Sequence, residues 1–219
     1  SPFLPQFSRC AAHAVEYLHS RGIDYELIDF CIRTGRLYES YPHHNAVFVG
    51  KDKDGQPRYA CLRGIGTDFK GEATGSDKRF SFSIPAEESS QVLYLFESAI
   101  DLLSFAAMAQ EDRLPWRSQH LLSLAGVYQP KKNLTERHLP LALSQYLRDH
   151  REIQTIYLCL DNDLAGRSAA DAIRQQLAGR YVVLDGFPCQ GKDYNDWLCL
   201  RKGLPITRTV SKPERSMAR

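Results

Sequence analysis

Asp161 and Asp163 stand one residue apart, directly behind the apolar run Ile156 to Leu160. An uninterrupted run of that length reads as a strand buried on both faces. Behind the acids, Leu164 to Leu177 carries Ala169, Ala170, Ile173 and Leu177 at helical spacing. The segment is therefore strand, acidic turn, helix. In an open parallel sheet, ligands sit beyond the carboxyl ends of the strands, where these acids fall. Two carboxylates on one tight turn can converge on a hard cation such as Mg²⁺, which takes oxygen ligands. An aspartate capping the following helix explains this pair equally well on this stretch alone.

The acids recur elsewhere. The run Val92 to Phe96 ends in Glu97, and Asp101 follows at i+4, on the same helical face. After a strand at Tyr181 to Leu184, the next loop carries Lys192, Asp193 and Asp196. Capping accounts for any one of these positions. It accounts less well for carboxylates at three strand ends, where their repulsion must be offset by a cation. The spacing thus favours a metal site.

The elements that would position these acids alternate from residue 89 onward. Strand Val92 to Phe96 is followed by helix Ala99 to Ala109, and strand Leu121 to Leu124, ending at Ala125-Gly126, by helix Thr135 to Asp149. The third pair is Ile156 to Leu160 with Ala165 to Leu177, and a short helix from Asn195 to Arg201 closes the series. Such alternation is the mark of an α/β sheet. Residues 1–88 read differently. Helical spacing runs from Ser8 to Ile32 with a break at Arg21-Gly22, and Asp24 is placed to cap a second helix. A hairpin follows, N-A-V-F-V-G and Q-P-R-Y-A-C-L-R-G around K-D-K-D-G, and later a strand from Arg79 to Ile84. The polar break at Pro85 to Ser90 marks the boundary, giving a small α+β segment (1–88), an α/β domain (89–204) and a basic tail (205–219) expected to be disordered.

Bulk properties exclude some classes. Content of 43% hydrophobic and 25% charged residues in 219 is that of a globular chain, and no apolar run reaches membrane-spanning length. The net charge of +2 does not announce a nucleic-acid binder, so any basic surface must be local. Six cysteines without a C-x-x-C pair point to core thiols in a reducing cytoplasm, and neither they nor the histidines suggest a zinc site. His43-His44 reads as part of a loop.

In order, L-F-E-S-A-I-D-L-L-S, S-L-A-G, L-D-N-D-L-A-G-R and G-K-D-Y-N-D-W-L resemble the motifs of a toprim domain over residues 91–204. That metal-binding module is shared by bacterial-type primases, topoisomerases and some nucleases. The resemblance implies that Glu97 joins in metal binding and proton transfer, that Asp161 and Asp163 hold Mg²⁺ (or Mn²⁺), and that Asp193 is a further metal-side acid beside Lys192. Asp101 and Asp196 would support them. Ser98 departs from a common glycine, and Asn195 from the second acid of replicative primase. The loop is similar to the K-D-x-N-[DE] version of phage and mitochondrial primase-helicases.

Upstream, Y-L-H-S-R-G-I-D-Y-E-L-I-D-F and the hairpin resemble the opening of the catalytic core of bacterial replicative primase, a layout also found in toprim proteins of conjugative plasmids and other mobile elements. The resemblance implies primer synthesis on single-stranded DNA from nucleoside triphosphates, with a helicase or relaxase as partner. Arg58, Arg63, Lys70, Lys78 and Arg79 would line the template groove, and Tyr59 and Phe80 would offer stacking faces. Against this, residues 1–85 hold eleven Lys and Arg to ten Asp and Glu, the balance of an ordinary solvated surface. A toprim nuclease and a non-catalytic DNA-binding module are the alternatives. A topoisomerase is not expected, because no separate domain remains to supply its nucleophilic tyrosine. Zinc-binding and helicase-interacting domains usually flank the primase core, so the chain is expected to be a fragment of a longer protein.

Overall fold

Two helices open the chain. In this computed structural model, which describes residues 2–124 and 138–206, α1 (Ala12–Ser20) and α2 (Tyr25–Arg33) are separated at Arg21-Gly22. Ala14 and Leu18 of the first, with Leu27, Ile28 and Cys31 of the second, form one buried stripe. The hairpin follows as β2 (Ala46–Lys51) and β3 (Pro57–Arg63), paired antiparallel. Its turn is closed by Asp52, whose Oδ1 accepts the amides of Asp54 at 3.0 Å and Gln56 at 2.9 Å.

Two further strands, β1 (Leu37–Glu39) and β4 (Lys70–Glu72), flank the hairpin in an antiparallel sheet ordered β1-β2-β3-β4. At three residues each, they are too short for an alternating pattern to reveal. Of the strand expected from Arg79 to Ile84, only β5 (Ser83–Ile84) forms. Asp77 turns the chain just before it, its Oδ1 accepting the amide of Arg79 at 3.0 Å.

The second sheet contains β6 (Val92–Phe96), β7 (His120–Ser123), β8 (Thr155–Cys159) and β9 (Val182–Asp185), ordered β5-β7-β6-β8-β9. Only β5 runs antiparallel. Helices α3 (Ala99–Glu111), α4 (Leu141–Asp149), α5 (Leu164–Leu177) and α6 (Tyr194–Lys202) alternate with the strands. Helix α4 starts after Pro140, where proline's missing N–H costs nothing. The strand end at Ala125-Gly126, the helix start at Thr135 and the tail from 207 lie outside the described residues.

Both faces of this sheet are covered, which explains the continuous apolar runs. Leu93, Leu95, Ile156 and Leu158 pack with Leu143 of α4 and Ile173 and Leu177 of α5. On the other face, Phe96 and Cys159 share a core with Leu102, Leu103 and Leu198, and that core continues into Leu18, Leu27, Ile28 and Phe48 of the N-terminal segment. The hairpin sheet is thereby held over one end of the parallel sheet. Among the described residues, no helix is long and apolar enough to cross a membrane.

Candidate metal centre and nucleic-acid cleft

Strand β6 lies between β7 and β8, so the connections leaving β6 and β8 diverge: α3 covers one face of the sheet and α5 the other. Such a switch point opens a crevice beyond the strand ends. Phe96 pairs with Cys159, which places Glu97 beside the turn that follows β8. There Glu97 Oε1 accepts the amide of Asp161 at 3.2 Å.

Capping and site-building turn out to share residues. Asp163 caps α5, its Oδ1 accepting the Gly166 amide at 2.8 Å. Asp193 caps α6 in the same way, its Oδ1 taking the Asp196 amide at 2.7 Å. Each spends one carboxyl oxygen and keeps the other. Ser98 caps α3 by accepting the Asp101 amide at 3.2 Å, and its hydroxyl donates to Asp101 Oδ2 at 2.5 Å. That gives a local reason for serine there. Gly166 is demanded by close approach, since a Cβ on it would lie 2.0 Å from the Asp161 carbonyl oxygen.

The third acidic loop is tied to the second. The Asn162 amide donates to the Lys192 carbonyl at 2.6 Å, and the Lys192 amide to Asp196 Oδ2 at 3.0 Å. Gly191 supplies the left-handed turn at φ 74°. Lys192 Nζ then reaches Asp161 Oδ2 at 3.2 Å and Asp163 Oδ2 at 3.3 Å. An ammonium thus stands where the carboxylates ask for a cation.

The charges respond to this crowding. Burial, then the negative charge of Asp161, pushes Glu97 up to about 7, although the Asp161 amide opposes the shift. Burial raises Asp161 as well, against the pull of Lys192. Burial also raises Asp101, with the charge of Asp193 adding to it, and burial raises Asp193. Asp163 is lowered, chiefly by the Gly166 amide. The donor set of Glu97, Asp161 and Asp163 is all oxygen and half-buried, the chemistry of a hard divalent cation. The three do not bring their oxygens within 4.8 Å of one another, and Lys192 holds two of them.

This rim forms one wall of a cleft of about 860 Å³. Arg63 of β3 and Lys70 of β4, both expected at the groove, line the same cleft, as does Arg21 at the end of α1. The charge of Arg63, then burial, then Lys192 and Arg21 hold the Lys70 ammonium below its ordinary value, against Asp161. Arg21 stands in the Y-L-H-S-R-G-I segment, but nothing local marked its side chain as one that enters the site.

The other three basic residues expected at the groove do not line it, although Lys78 pairs with Glu72 of its lining. Arg58 pairs with Asp52 at 2.6 Å, Lys78 with Glu72 at 3.2 Å and Arg79 with Asp77 at 2.6 Å. Tyr59 lines the cleft but is buried, its hydroxyl donating to Glu72 at 2.9 Å. Phe80 lies outside that cleft, against a smaller cavity.

The histidines require a correction. They group with acids in two places, His13–Glu39–His44 and His120–His150–Glu152. Each cluster joins a close pair, Glu39 with His44 or His150 with Glu152, to a histidine distant in sequence, so spacing alone gave no warning. The cysteines are only partly core: Cys31, Cys159 and Cys199 are buried, while Cys10 and Cys189 are exposed.

Comparison with known proteins agrees with this geometry. Residues 94–198 match the family described as Toprim-like, and residues 16–89 match one described as Protein of unknown function (DUF3991). The chain carries a toprim-like domain. It is 28% identical over 203 residues to the 65 kDa protein of Zymomonas mobilis, covering 88% of this chain but only 32% of that relative. The chain therefore spans about a third of the length of the curated relative it matches.

Among solved structures, the primase fragment of the bacteriophage T7 primase-helicase aligns with a TM-score of 0.60 at 21% identity, over 93% of this chain and 77% of that one. The E. coli primase catalytic core aligns at 0.55 and 16%, over 89% and 70%. The RNA polymerase domain of Mycobacterium tuberculosis primase aligns at 0.56 and 14%, over 90% and 76%. The fold is that of a primase catalytic core.

Proposed function

We propose that this chain is the core of a primase-like nucleotidyltransferase that extends short primers on single-stranded DNA. One observation carries the reading: Glu97 and Asp161 line one cleft at the sheet's switch point together with Arg21, Arg63 and Lys70, and Lys192 ties Asp163 to Asp161 beside it. A template strand and a triphosphate both need cations along their phosphates, and the basic wall supplies them.

Glu97, Asp161 and Asp163, with Asp193 beside them, would hold Mg²⁺ or Mn²⁺. When bound, the ion supplies charge neutralisation on the triphosphate and on the departing pyrophosphate. Glu97 sits near neutrality, where a carboxylate can take a proton and hold it. In the proposed step Glu97 accepts the proton of the primer 3′-hydroxyl, and that oxygen forms the new bond to the α-phosphorus. The bond to the bridging oxygen of pyrophosphate breaks, and the electron pair leaves with it. Lys192, Arg63 and Lys70 bind phosphate oxygens, while Asp101 and Asp196 fix the loops that aim the site.

The division at residue 88 is part of the proposal. It is supported by the two family matches, which meet between residues 89 and 94. A cytoplasmic setting and a helicase or relaxase partner follow from the same reading, because primer synthesis serves strand opening and transfer. So does the mobile-element context.

The deciding assay combines labelled nucleoside triphosphates, single-stranded DNA and Mg²⁺ or Mn²⁺, with wild type beside Glu97→Gln and Asp161→Asn. Short products that vanish in both variants are expected. Cleavage of labelled DNA without nucleotides, lost in the same variants, would replace the reading with a nuclease. Unchanged DNA binding in Asp161→Asn, with neither activity in any form, would favour a non-catalytic module.

A further inference from the structure

The imidazole of His120 is buried at the start of β7, at the end of the parallel sheet opposite the acidic rim. Among the described residues its Nε2 has no hydrogen-bond partner, a costly state for a buried polar atom. Glu152 Oε1 is 3.4 Å away, and the same oxygen lies 3.5 Å from His150 Nδ1. These separations exceed the usual 2.7–3.2 Å of an N–H···O bond. They match another geometry: ligands about 2.0–2.1 Å from a tetrahedral zinc lie about 3.4 Å from one another. All three donor atoms fall within 4.8 Å of each other.

We propose that His120 Nε2, His150 Nδ1 and Glu152 Oε1 form a tetrahedral site for a transition-metal ion of the zinc class, with the fourth position open to water. The chemistry of the set supports it. Two imidazoles and a carboxylate prefer Zn²⁺ or Co²⁺ to Mg²⁺, which favours oxygen-rich sites. Burial, then the neighbouring His150, lowers the His120 pKa against the pull of Glu152, a shift toward the neutral form that ligates. His120 Nδ1 lies 3.0 Å from the Tyr146 hydroxyl and 3.3 Å from the Ala86 amide. Ligation through Nε2 puts the ring proton on Nδ1, where the Tyr146 oxygen accepts it. The Ala86 amide, which donates to Nδ1 at 3.3 Å, gives up that bond when Nδ1 carries the proton. Tyr146 thereby plays the outer-shell part that orients a ligating histidine.

The second cluster differs in kind. Glu39 Oε1 is 2.9 Å from His13 Nδ1 and 2.5 Å from His44 Nδ1, and Oε2 accepts the Ala14 amide at 2.9 Å. Those are hydrogen-bond lengths, and among the described residues no buried side-chain atom there is left without a partner. A metal at the first cluster would clamp the start of β7 to the end of α4 and the turn behind it, independently of the proposed nucleotidyl transfer.

The test is titration of the 219-residue chain with Zn²⁺ by calorimetry, and with Co²⁺ by visible absorption, in excess Mg²⁺ to occupy the acidic rim. One equivalent should bind, with intense tetrahedral Co²⁺ bands and a thermal midpoint several degrees higher. His150→Ala and Glu152→Gln alter partly exposed side chains and leave the core in place. Each should weaken Zn²⁺ binding at least ~10-fold and abolish the bands, whereas His13→Ala should keep both. Absence of stoichiometric binding, or bands that survive in both variants, would overturn the site. Loss of the bands in His13→Ala would move the ion to Glu39 and overturn it equally.

Discussion

Arg21 and Asn195, 174 residues apart, are bonded in both directions: Arg21 Nε donates to Asn195 Oδ1 at 2.7 Å, and Asn195 Nδ2 to the Arg21 carbonyl at 2.9 Å. Asn195 Nδ2 also reaches Ser104 Oγ at 3.0 Å, and its amide donates to Asp101 Oδ1 at 3.2 Å. The asparagine that stands where replicative primase has an acid is therefore a strut. It fixes the end of α1, and with it one basic wall of the cleft, to the loop carrying Lys192 and Asp193. Asn195→Ala leaves the Ser104 hydroxyl and the Arg21 guanidinium without these partners. It should cost about 1–3 kcal/mol in urea unfolding, and Asn195→Asp should recover less than half of that.

Gly166→Ala separates two opposing effects. Helix propensity alone would make alanine more stable by about 1 kcal/mol. The clash at 2.0 Å with the Asp161 carbonyl should reverse the sign and cost about 1–3 kcal/mol. Divalent-cation affinity should fall with it, because the atom displaced belongs to the acidic turn. A more stable variant with unchanged affinity would contradict the packing described.

Stability should fall as pH rises through the range where Glu97 ionises. Its folded value of about 7 exceeds the ordinary 4.5, so between them the native state holds a proton that the unfolded chain has released. The stabilisation is complete below the lower value and lost above the upper one. Asp101 and Asp161 move in the same direction. Chemical denaturation from pH 4.5 to 8 should show this slope, reduced in Glu97→Gln and largely cancelled by millimolar Mg²⁺.

Lys192→Met removes the ammonium held between Asp161 and Asp163. The thermal midpoint should drop in EDTA and be restored by Mg²⁺ to a greater extent than in wild type. Equal dependence on Mg²⁺ in both proteins would mean that the lysine and the cation do not share a position.

Binding of single-stranded DNA should separate the basic residues into two groups. Arg63→Ala and Lys70→Ala should each weaken it and lower the salt slope by about 0.7. Arg58→Ala, Lys78→Ala and Arg79→Ala, whose partners are Asp52, Glu72 and Asp77, should leave the slope unchanged. Fluorescence anisotropy across a salt series measures both.

The three acid-bearing loops were legible in the sequence because strand, turn and helix are written in local periodicity. An apolar run fixes where a strand ends, and a parallel sheet aligns those ends, so Glu97, Asp161 and Asp193 could be placed on one rim before any fold was known. Residues that act through partners far along the chain were not legible. Arg21 enters the cleft because the N-terminal helices share a core with α3 and α6. Arg58 and Arg79 are claimed by neighbouring aspartates instead. His120 meets His150 and Glu152 where strand and helix ends come together, and β1 and β4 are too short to leave a pattern. Local spacing determines elements because side-chain period follows backbone geometry. Which elements then face one another depends on topology and packing, and that was decided only by the tertiary structure.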